Sequence, residues 1–598
     1  MKKDKHTWNL TPLYKSDNDP QIEKDVQKAM KKNHSFINKW KNRQDYLNDP
    51  KVLREALDEY NQICEIGPVG PAIYYLQLRN SQDQTDKKII ARSRKVNELA
   101  IETANNLEFF ELNICKIPIS KQKFFLESKY LEPYKHFLEL AFLYAKFLLS
   151  EKEEQFLQTY SPLSYENWIE MLSQFLSKET ITIVNEDGEK ETIPFSNRFR
   201  YITSQNEKTR ESASKETIRV LEKWSDVAEH ELNSILQNKK NGDKLRGHSR
   251  PDEAGLIGND TSIEVVDQML SSVESHFDLS RKYYKLKAQL MGKEKIAYFE
   301  RTLPYKESKD EYPYNKAVEI VKDTLNDLDP EFKKIYEEME KNGRYDVYPK
   351  RGKDDGAFCT HSSKSLPIYV LLNHNNTFNS VLTMAHETGH AINHYLINQN
   401  ELELNVSCSL SIAEVASTFF EGFVCDKIAE EADKETRFSI LVNQIQEDIG
   451  SIHRQVACYR FEQELHENFR KEGFLPKEDI SKIFKKHMVG YMGDYVEQEK
   501  GTEYFWVIWS HIRRYFYVYS YASGLLISKA LQRMVKEDPK NIEKVKVMLS
   551  TGSSKSPEQI FKDIGIDITK QEFWEEGLKE IEDTYDEIYS LAKELGKI

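Results

Sequence analysis

Two histidines, His386 and His390, stand four residues apart, and Glu387 directly follows the first. On a helix this spacing puts both imidazoles on one face, about 6 Å apart along the axis. Two imidazoles so placed can bind one Zn²⁺, and Glu387 then reaches a water on the metal rather than the metal itself. Zinc lowers the pKa of that water to about 7. The pattern predicts a hydrolytic zinc centre; the alternative is two surface histidines beside a solvated glutamate.

A catalytic zinc site also needs a third protein ligand and an open fourth position. In one zinc pattern the third ligand is a histidine six residues after the second, with a glycine three residues after the second. Leu396 and Asn393 occupy these positions, so we expect a carboxylate from further along the chain. The candidates are Glu401, Glu403, Glu414 and Glu421, of which the first two lie in a polar stretch typical of a loop.

Glu414 lies in an otherwise apolar segment, SIAEVASTFFEGFVCDKI, that is typical of a helix. A carboxylate buried there would be costly unless a cation paired with it, and zinc supplies that cation. Glu421 continues the same helical face. We predict that Glu414 is the third ligand and that Glu421 hydrogen-bonds to a ligand histidine; the alternative for Glu421 is a partly exposed helix glutamate.

Most of the chain has a helical pattern. Its 598 residues contain few helix breakers, 23 glycines and 18 prolines. Apolar residues recur at spacings of three and four, as in Leu53, Leu57, Tyr60 and Ile63. The segment 379–398, which contains the two histidines, also predicts a helix, with one apolar stripe.

Two segments predict strands. The segment 181–195 has Asp187-Gly188 between two strand-like runs, which predicts a hairpin. We place a domain boundary there, between an N-terminal helical domain (1–190) and a catalytic domain (191–598). The segment 356–376 is a second strand-like patch, and Pro367 indicates that at least one of its strands is an edge.

The net charge is −13, from 85 basic and 98 acidic residues, which does not favour a nucleic-acid partner. Six scattered cysteines without a C-x-x-C pair predict free thiols in a reducing compartment. No apolar run follows the basic N-terminus, and the most apolar stretches carry charges such as Glu139 and Glu421. These observations predict a cytoplasmic protein without a membrane partner.

The sequence resembles peptidase family M3, the group of thimet oligopeptidase and oligoendopeptidase F. The residues that carry the resemblance are HETGH (386–390), AEVASTFFEGF (413–423) and WSHIRRYFYVYSYASG (509–524). Two upstream segments, GAFCTHSSKSLPIYVLLN (356–373) and SNRFRYITSQNEKTRE (196–211), resemble the oligoendopeptidase F branch. The likeness covers most of the chain from about residue 190 onward, and the N-terminal part more loosely.

The resemblance implies one Zn²⁺ on His386, His390 and Glu414, with Glu387 as general base. It also implies a mainly α, two-lobed body with a small β-sheet near the zinc and a deep channel that admits short peptides. Gly389 matches the family pattern. One departure is Asn393, where the resemblance implies a further histidine; His394 follows it and is not expected to be a ligand.

A dense aromatic segment contains Tyr515, Tyr517, Tyr519 and Tyr521 together with His511. Taken without the resemblance, this segment can be interpreted simply as a buried aromatic helix or strand. The resemblance implies that a histidine and tyrosines of this segment stabilise the oxyanion of peptide hydrolysis. By position His511 and Tyr521 match best and Tyr519 comes next, although helical spacing would pair Tyr517 with Tyr521.

The resemblance also implies that Gly356, Ala357 and Phe358 form an edge that pairs with the substrate backbone, a mode with little side-chain selectivity. The predicted function is therefore hydrolysis of internal bonds in short oligopeptides. The alternatives are a dipeptidyl carboxypeptidase or carboxypeptidase with the same zinc chemistry, or a non-catalytic helical peptide-binding protein. Cleavage preference, physiological substrate and oligomeric state stay open.

Overall fold

A computed structural model describes residues 6–306 and 310–598. Helices dominate this part of the chain. They are α1 (Gln21–Trp40), α2 (Pro50–Ile66), α3 (Ala72–Gln82), α4 (Lys87–Leu107), α5 (Phe109–Cys115), α6 (Ile119–Leu126), α7 (Lys135–Tyr144), α8 (Glu151–Ser161), α9 (Asn167–Ser177), α10 (Arg198–Ile202), α11 (Glu207–Arg246), α12 (Glu253–Gly258), α13 (Ile263–Ser275), α14 (Phe277–Leu290), α15 (Tyr314–Leu328), α16 (Pro330–Lys341), α17 (Phe378–Asn400), α18 (Leu410–Glu431), α19 (Lys434–Ser451), α20 (His453–Glu472), α21 (Lys477–Met492), α22 (Tyr519–Glu537), α23 (Ile542–Ser550), α24 (Pro557–Asp563) and α25 (Gln571–Glu594).

The strands form two small sheets. They are β1 (Thr180–Val184), β2 (Lys190–Pro194), β3 (Tyr345–Asp346), β4 (Phe358–Thr360) and β5 (Tyr369–Leu371). The mainly α class with a small sheet is confirmed. A π-helical turn, Pro162–Glu166, joins α8 to α9 without a break in the helix.

The described residues form two compact units, each built from three separate stretches. The first unit takes its residues from Met1–Lys146, Lys309–Ile428 and Leu531–Asp567. The second takes them from Phe147–Ser308, Ala429–Ala530 and Ile568–Ile598. The predicted division at residue 190 is a different partition, drawn from a hairpin signal in the sequence, and it stays a prediction.

Local sequence signals account for several elements. The hairpin expected at 181–195 is the antiparallel pair β1–β2, and Gly188 in its turn has a φ of +82°. The apolar stripe of α2 is buried against a core that includes Trp40 and Phe110. Helix α17 begins after Thr377, whose hydroxyl accepts a hydrogen bond from the Ser380 N–H, and it covers the predicted segment 379–398.

The small sheet of the first unit has the strand order β3-β5-β4, with β3 parallel and β4 antiparallel to β5. β4 is therefore an edge strand, as predicted. Trp8 anchors the central strand, because its indole N–H donates to the Val370 carbonyl at 2.8 Å. Helix α17 packs against β4 and β5, so the sheet supports the helix that carries His386 and His390.

No helix in the described ranges is both long and apolar enough to cross a membrane. All six cysteines lie in these ranges, and each is a free thiol, as their spacing predicts.

Candidate active site

Helices α17 and α18 cross in backbone contact at Gly389. A Cβ atom on Gly389 would lie 2.7 Å from the Ala416 carbonyl oxygen and 2.8 Å from Ser417 Cα, closer than real Cβ contacts. Glycine is therefore required by the close approach of the two backbones. This crossing brings Glu414 of α18 to the histidines of α17.

The predicted ligands converge. One side-chain atom from each of His386, His390 and Glu414 lies within 4.8 Å of the other two. His386 Nε2 is 3.7 Å from Glu414 Oε2, and the two imidazole centroids are 5.0 Å apart at an angle of 82°. Two imidazoles and one carboxylate are a donor set of hydrolytic zinc sites. The side chains present therefore fit a zinc ion.

Both histidines are oriented by α18. His386 Nδ1 lies 2.9 Å from Glu421 Oε2, and an N–H donated there leaves Nε2 for a metal. Burial lowers the pKa of His386, but the hydrogen bond and charge of Glu421 outweigh burial, so the pKa is raised. His390 bonds to the backbone of Ala413, while burial and the charge of His386 lower its pKa to about 4. The lowered pKa favours the neutral form of the His390 imidazole, which is the form that binds a metal.

Glu414 differs from prediction in its burial. Its side chain is 39% exposed, so the expected buried carboxylate is wrong. The apolar neighbours in the sequence, such as Val415 and Phe419, are completely buried and turn Glu414 towards the solvent side of α18. The Ser417 hydroxyl donates to its carboxylate at 3.3 Å. Convergence with the histidines, rather than the cost of burial, now supports Glu414 as a ligand.

Glu387 is 7% exposed and lies close enough to His386 and Glu414 for their charges to affect the pKa of its carboxyl. Burial raises the pKa of its carboxyl, against the opposing charge of His386 and a hydrogen bond from the backbone N–H of Cys359. A carboxylate with a raised proton affinity is suited to a general base near neutral pH.

The other candidate carboxylates have structural partners. Glu401 accepts a hydrogen bond from the Ser554 hydroxyl at 2.8 Å. Glu403 is 6% exposed and accepts from the backbone N–H of Lys364 at 2.9 Å. Neither belongs to the converging group.

The departure from the family pattern at Asn393 also has a structural reason. Its side-chain amide donates to the Leu549 carbonyl at 2.7 Å, which ties α17 to α23. His394 stacks on His361, with centroids 4.5 Å apart, and stands outside the ligand group, as predicted.

The predicted substrate-binding residues lie at the start of the edge strand. Gly356 and Ala357 precede β4, and Phe358 is its first residue. The Gly356 carbonyl accepts from the Asn373 amide at 2.7 Å, and the Phe358 ring packs against the core of the first unit. The strand is shorter than the strand-like patch in the sequence.

The aromatic segment belongs to the second unit. His511 Nε2 lies 3.1 Å from the Tyr521 hydroxyl, and both side chains are partly exposed. The Tyr517 ring contacts both, at 5.9 Å from His511 and 5.6 Å from Tyr521, so the Tyr517–Tyr521 pairing is present. Tyr519 is 2% exposed, which leaves its hydroxyl inside the unit.

Sequence reasoning missed two backbone groups at the site, the Cys359 N–H on Glu387 and the Ala413 backbone on His390. Backbone groups carry no residue-type signal, so spacing could not have found them.

Sequence models of known families match the chain. The model of Peptidase family M3 covers residues 200–580, and that of Oligopeptidase F covers 113–174. Oligopeptidase PepF of Bacillus subtilis is 25% identical over 596 residues, which are 98% of this chain and 87% of that protein.

Solved structures share the fold. A chain from Chlamydophila abortus, whose crystal structure is described as that of a peptidase, has a TM-score of 0.87 at 21% identity, covering 98% of each chain. Oligoendopeptidase-F from Enterococcus faecium has a TM-score of 0.69 at 20% identity, covering 96% of this chain and 98% of that one.

The M3 match includes α17, α18 and the segment with His511 and Tyr521, and it spans more than half of the chain. The chain belongs to peptidase family M3.

Proposed function

We propose that this peptidase is a zinc metalloendopeptidase that hydrolyses internal bonds of short oligopeptides. The observation that carries the proposal is the convergence of His386, His390 and Glu414, with Glu387 beside them. Relatives named oligopeptidase and oligoendopeptidase support short peptides as substrates. Residence in the cytoplasm stays a prediction, and the oligomeric state stays open.

His386, His390 and Glu414 would hold the zinc ion, with Glu421 orienting His386. Zinc bound there would polarise the scissile carbonyl and make a bound water more acidic. Glu387 takes the proton of the attacking water and later gives it to the leaving amine. Burial supports this role because it raises the pKa of Glu387.

His511 and Tyr521 are proposed to donate hydrogen bonds to the oxyanion that develops on the substrate. Their mutual contact and partial exposure support this role, whereas the burial of Tyr519 makes it the weaker candidate. The substrate backbone is proposed to pair with the edge strand that begins after Gly356 and Ala357, because an open strand edge binds many sequences through main-chain hydrogen bonds.

A fluorogenic oligopeptide blocked at both ends tests the proposal. We expect cleavage at an internal bond, about one zinc per chain by mass spectrometry, and loss of activity with a chelator that zinc reverses. Glu387→Gln should retain the zinc and lose about 10²–10⁴-fold in kcat. Cleavage restricted to unblocked peptides would instead indicate an exopeptidase, and zinc binding without any cleavage would indicate a peptide-binding protein.

A further inference from the structure

The loop between His511 and Tyr521 has an unusual backbone. Two consecutive non-glycine residues, Tyr515 and Phe516, have φ values of +47° and +58°. This left-handed region is unfavourable for residues that carry a Cβ atom, and such conformations persist where the surroundings hold them. The contacts that hold this loop are therefore informative about its role.

The first contact fixes the turn that carries His511. Arg513 is 4% exposed and Glu231 of α11 is completely buried. The guanidinium donates to both carboxylate oxygens of Glu231, at 3.0 and 2.7 Å. It also donates to the carbonyls of Trp506 and Trp509, at 2.5 and 3.3 Å. One planar side chain thus ties α11 to the backbone just before His511.

Two tyrosine hydroxyls add to this attachment. Tyr515 donates to the Ile235 carbonyl at 2.7 Å, one helical turn after Glu231. Tyr165, in the π-helical turn between α8 and α9, donates to the Arg513 carbonyl. π-Helical turns are rare and frequently lie at functional sites.

The second strained residue is held from α20. Glu462 is completely buried, and its Oε2 accepts a hydrogen bond from the Phe516 N–H at 2.7 Å. Its other oxygen has no hydrogen-bond partner among the described residues. The Phe516 ring packs on His466 and Tyr459, with centroids 4.8 and 5.1 Å away. This buried carboxyl accepts a hydrogen bond from a single backbone N–H, which indicates that the position of the Phe516 N–H must be fixed.

We infer that Glu462 and the Glu231–Arg513 pair are positioning residues, which hold the loop so that His511 meets the Tyr521 hydroxyl. None of the three side chains is exposed enough to contact a substrate, so they act through His511. The inference rests on the proposed role of His511 in oxyanion stabilisation. A displaced donor loses its alignment with the developing charge, which lowers kcat and leaves ground-state binding intact.

The test compares two substitutions at Glu462. Burial raises the pKa of this carboxyl well above its usual range, so the neutral Glu462→Gln is a close match and should keep near wild-type kcat. Glu462→Met removes the acceptor and should lower kcat about 10–100-fold with KM within about twofold. A milder variant, Tyr515→Phe, loses the hydrogen bond to the Ile235 carbonyl and should lower kcat a few-fold. It tests the inference if Glu462→Met does not fold.

The control is Lys287→Met, which removes a buried amino group on α14 that donates hydrogen bonds to the Arg301 and Leu303 carbonyls. It should lower Tm and leave kcat unchanged. A kcat loss in the control equal to that of Glu462→Met, or a Glu462→Gln as impaired as Glu462→Met, would overturn the inference.

His511→Phe separates the two proposals. If Glu462 acts through His511, the double variant with Glu462→Met should be no slower than His511→Phe, and multiplied losses would refute the inference.

If His511→Phe keeps full kcat, the proposed role of His511 fails. The positioning inference is then still tested by NMR of the His511 imidazole, whose pKa is lowered by burial, Arg514 and Arg454. The pKa of His511 should move towards its ordinary value in Glu462→Met. An unchanged pKa would contradict the positioning role of Glu462.

Discussion

Glu421 determines which nitrogen of His386 is left for the metal. Its carboxylate accepts from Nδ1 at 2.9 Å, and partners of this kind typically change metal affinity by about 10–100-fold. We expect Glu421→Gln to weaken zinc binding by about that factor, because the neutral amide keeps an acceptor oxygen but loses the charge. Competition with a chelator of known affinity measures it.

The matched control for that variant is Glu430→Gln, an exposed residue on the same helix. It should bind zinc as the wild type does. Equal zinc affinity in Glu421→Gln and Glu430→Gln would show that Glu421 does not support the ligand.

Residue identity and helical spacing predicted the two histidines of the candidate centre, whereas the burial argument that selected Glu414 among the carboxylates was wrong. His386 and His390 share a helix face by periodicity, and Glu421 follows Glu414 by two turns. The relative positions within each pair can therefore be predicted from spacing along one helix. The exposure of Glu414 could not be predicted this way, because it depends on how α18 is rotated against its neighbours. The hydrogen bond from Cys359 to Glu387 joins a strand to a helix and likewise has no local signal.

At the scale of elements, the α17–α18 crossing depends on Gly389. Gly389→Ala would place a methyl group within 2.7 Å of the Ala416 carbonyl, and backbone atoms cannot yield as a flexible side chain can. We expect a loss of about 1–3 kcal/mol in the free energy of unfolding, together with weaker zinc binding because Glu414 moves away from the histidines. Urea unfolding and zinc titration measure both.

A helical glycine with open space around its Cβ position provides the comparison. Gly242 lies inside α11 and has no atom within 4 Å of that position. Gly242→Ala should be neutral or stabilise the protein by about 0.4–1 kcal/mol. If Gly389→Ala were equally well tolerated, the two helices would not need their close approach.

Elements with a clear local period were predictable, and elements defined by tertiary contact were not. The period of 3.6 predicted α17, and Asp187-Gly188 predicted the β1–β2 hairpin. The π-helical turn at Pro162–Glu166 and the left-handed pair Tyr515–Phe516 have no such signal, because contacts distant in sequence hold them in place.

At the scale of the whole molecule, the sequence predicted a mainly helical protein but not the way in which its parts assemble. Each compact unit joins three stretches that are separated along the chain by stretches of the other unit. A hairpin signal near residue 190 reports a local change in pattern and carries no information about such distant contacts. The small sheet illustrates this, since Trp8 packs with β5, whose residues follow it by more than three hundred positions.

We expect the free energy of unfolding to depend on pH through two buried histidines of α20, His453 and His466. Burial lowers the pKa of His453 to about 4 and that of His466 well below its ordinary value. The unfolded chain therefore binds these protons first, and stability falls as pH decreases from about 6.5 towards 4, by about 1.4 kcal/mol per pH unit for each histidine.

His453→Leu should show a shallower decline in urea midpoints over this range, whereas His230→Leu, at an exposed position, should keep the wild-type slope. Because all three proteins share the same metal ligands, acid-induced loss of zinc affects them equally, and an unchanged slope in His453→Leu would contradict the prediction.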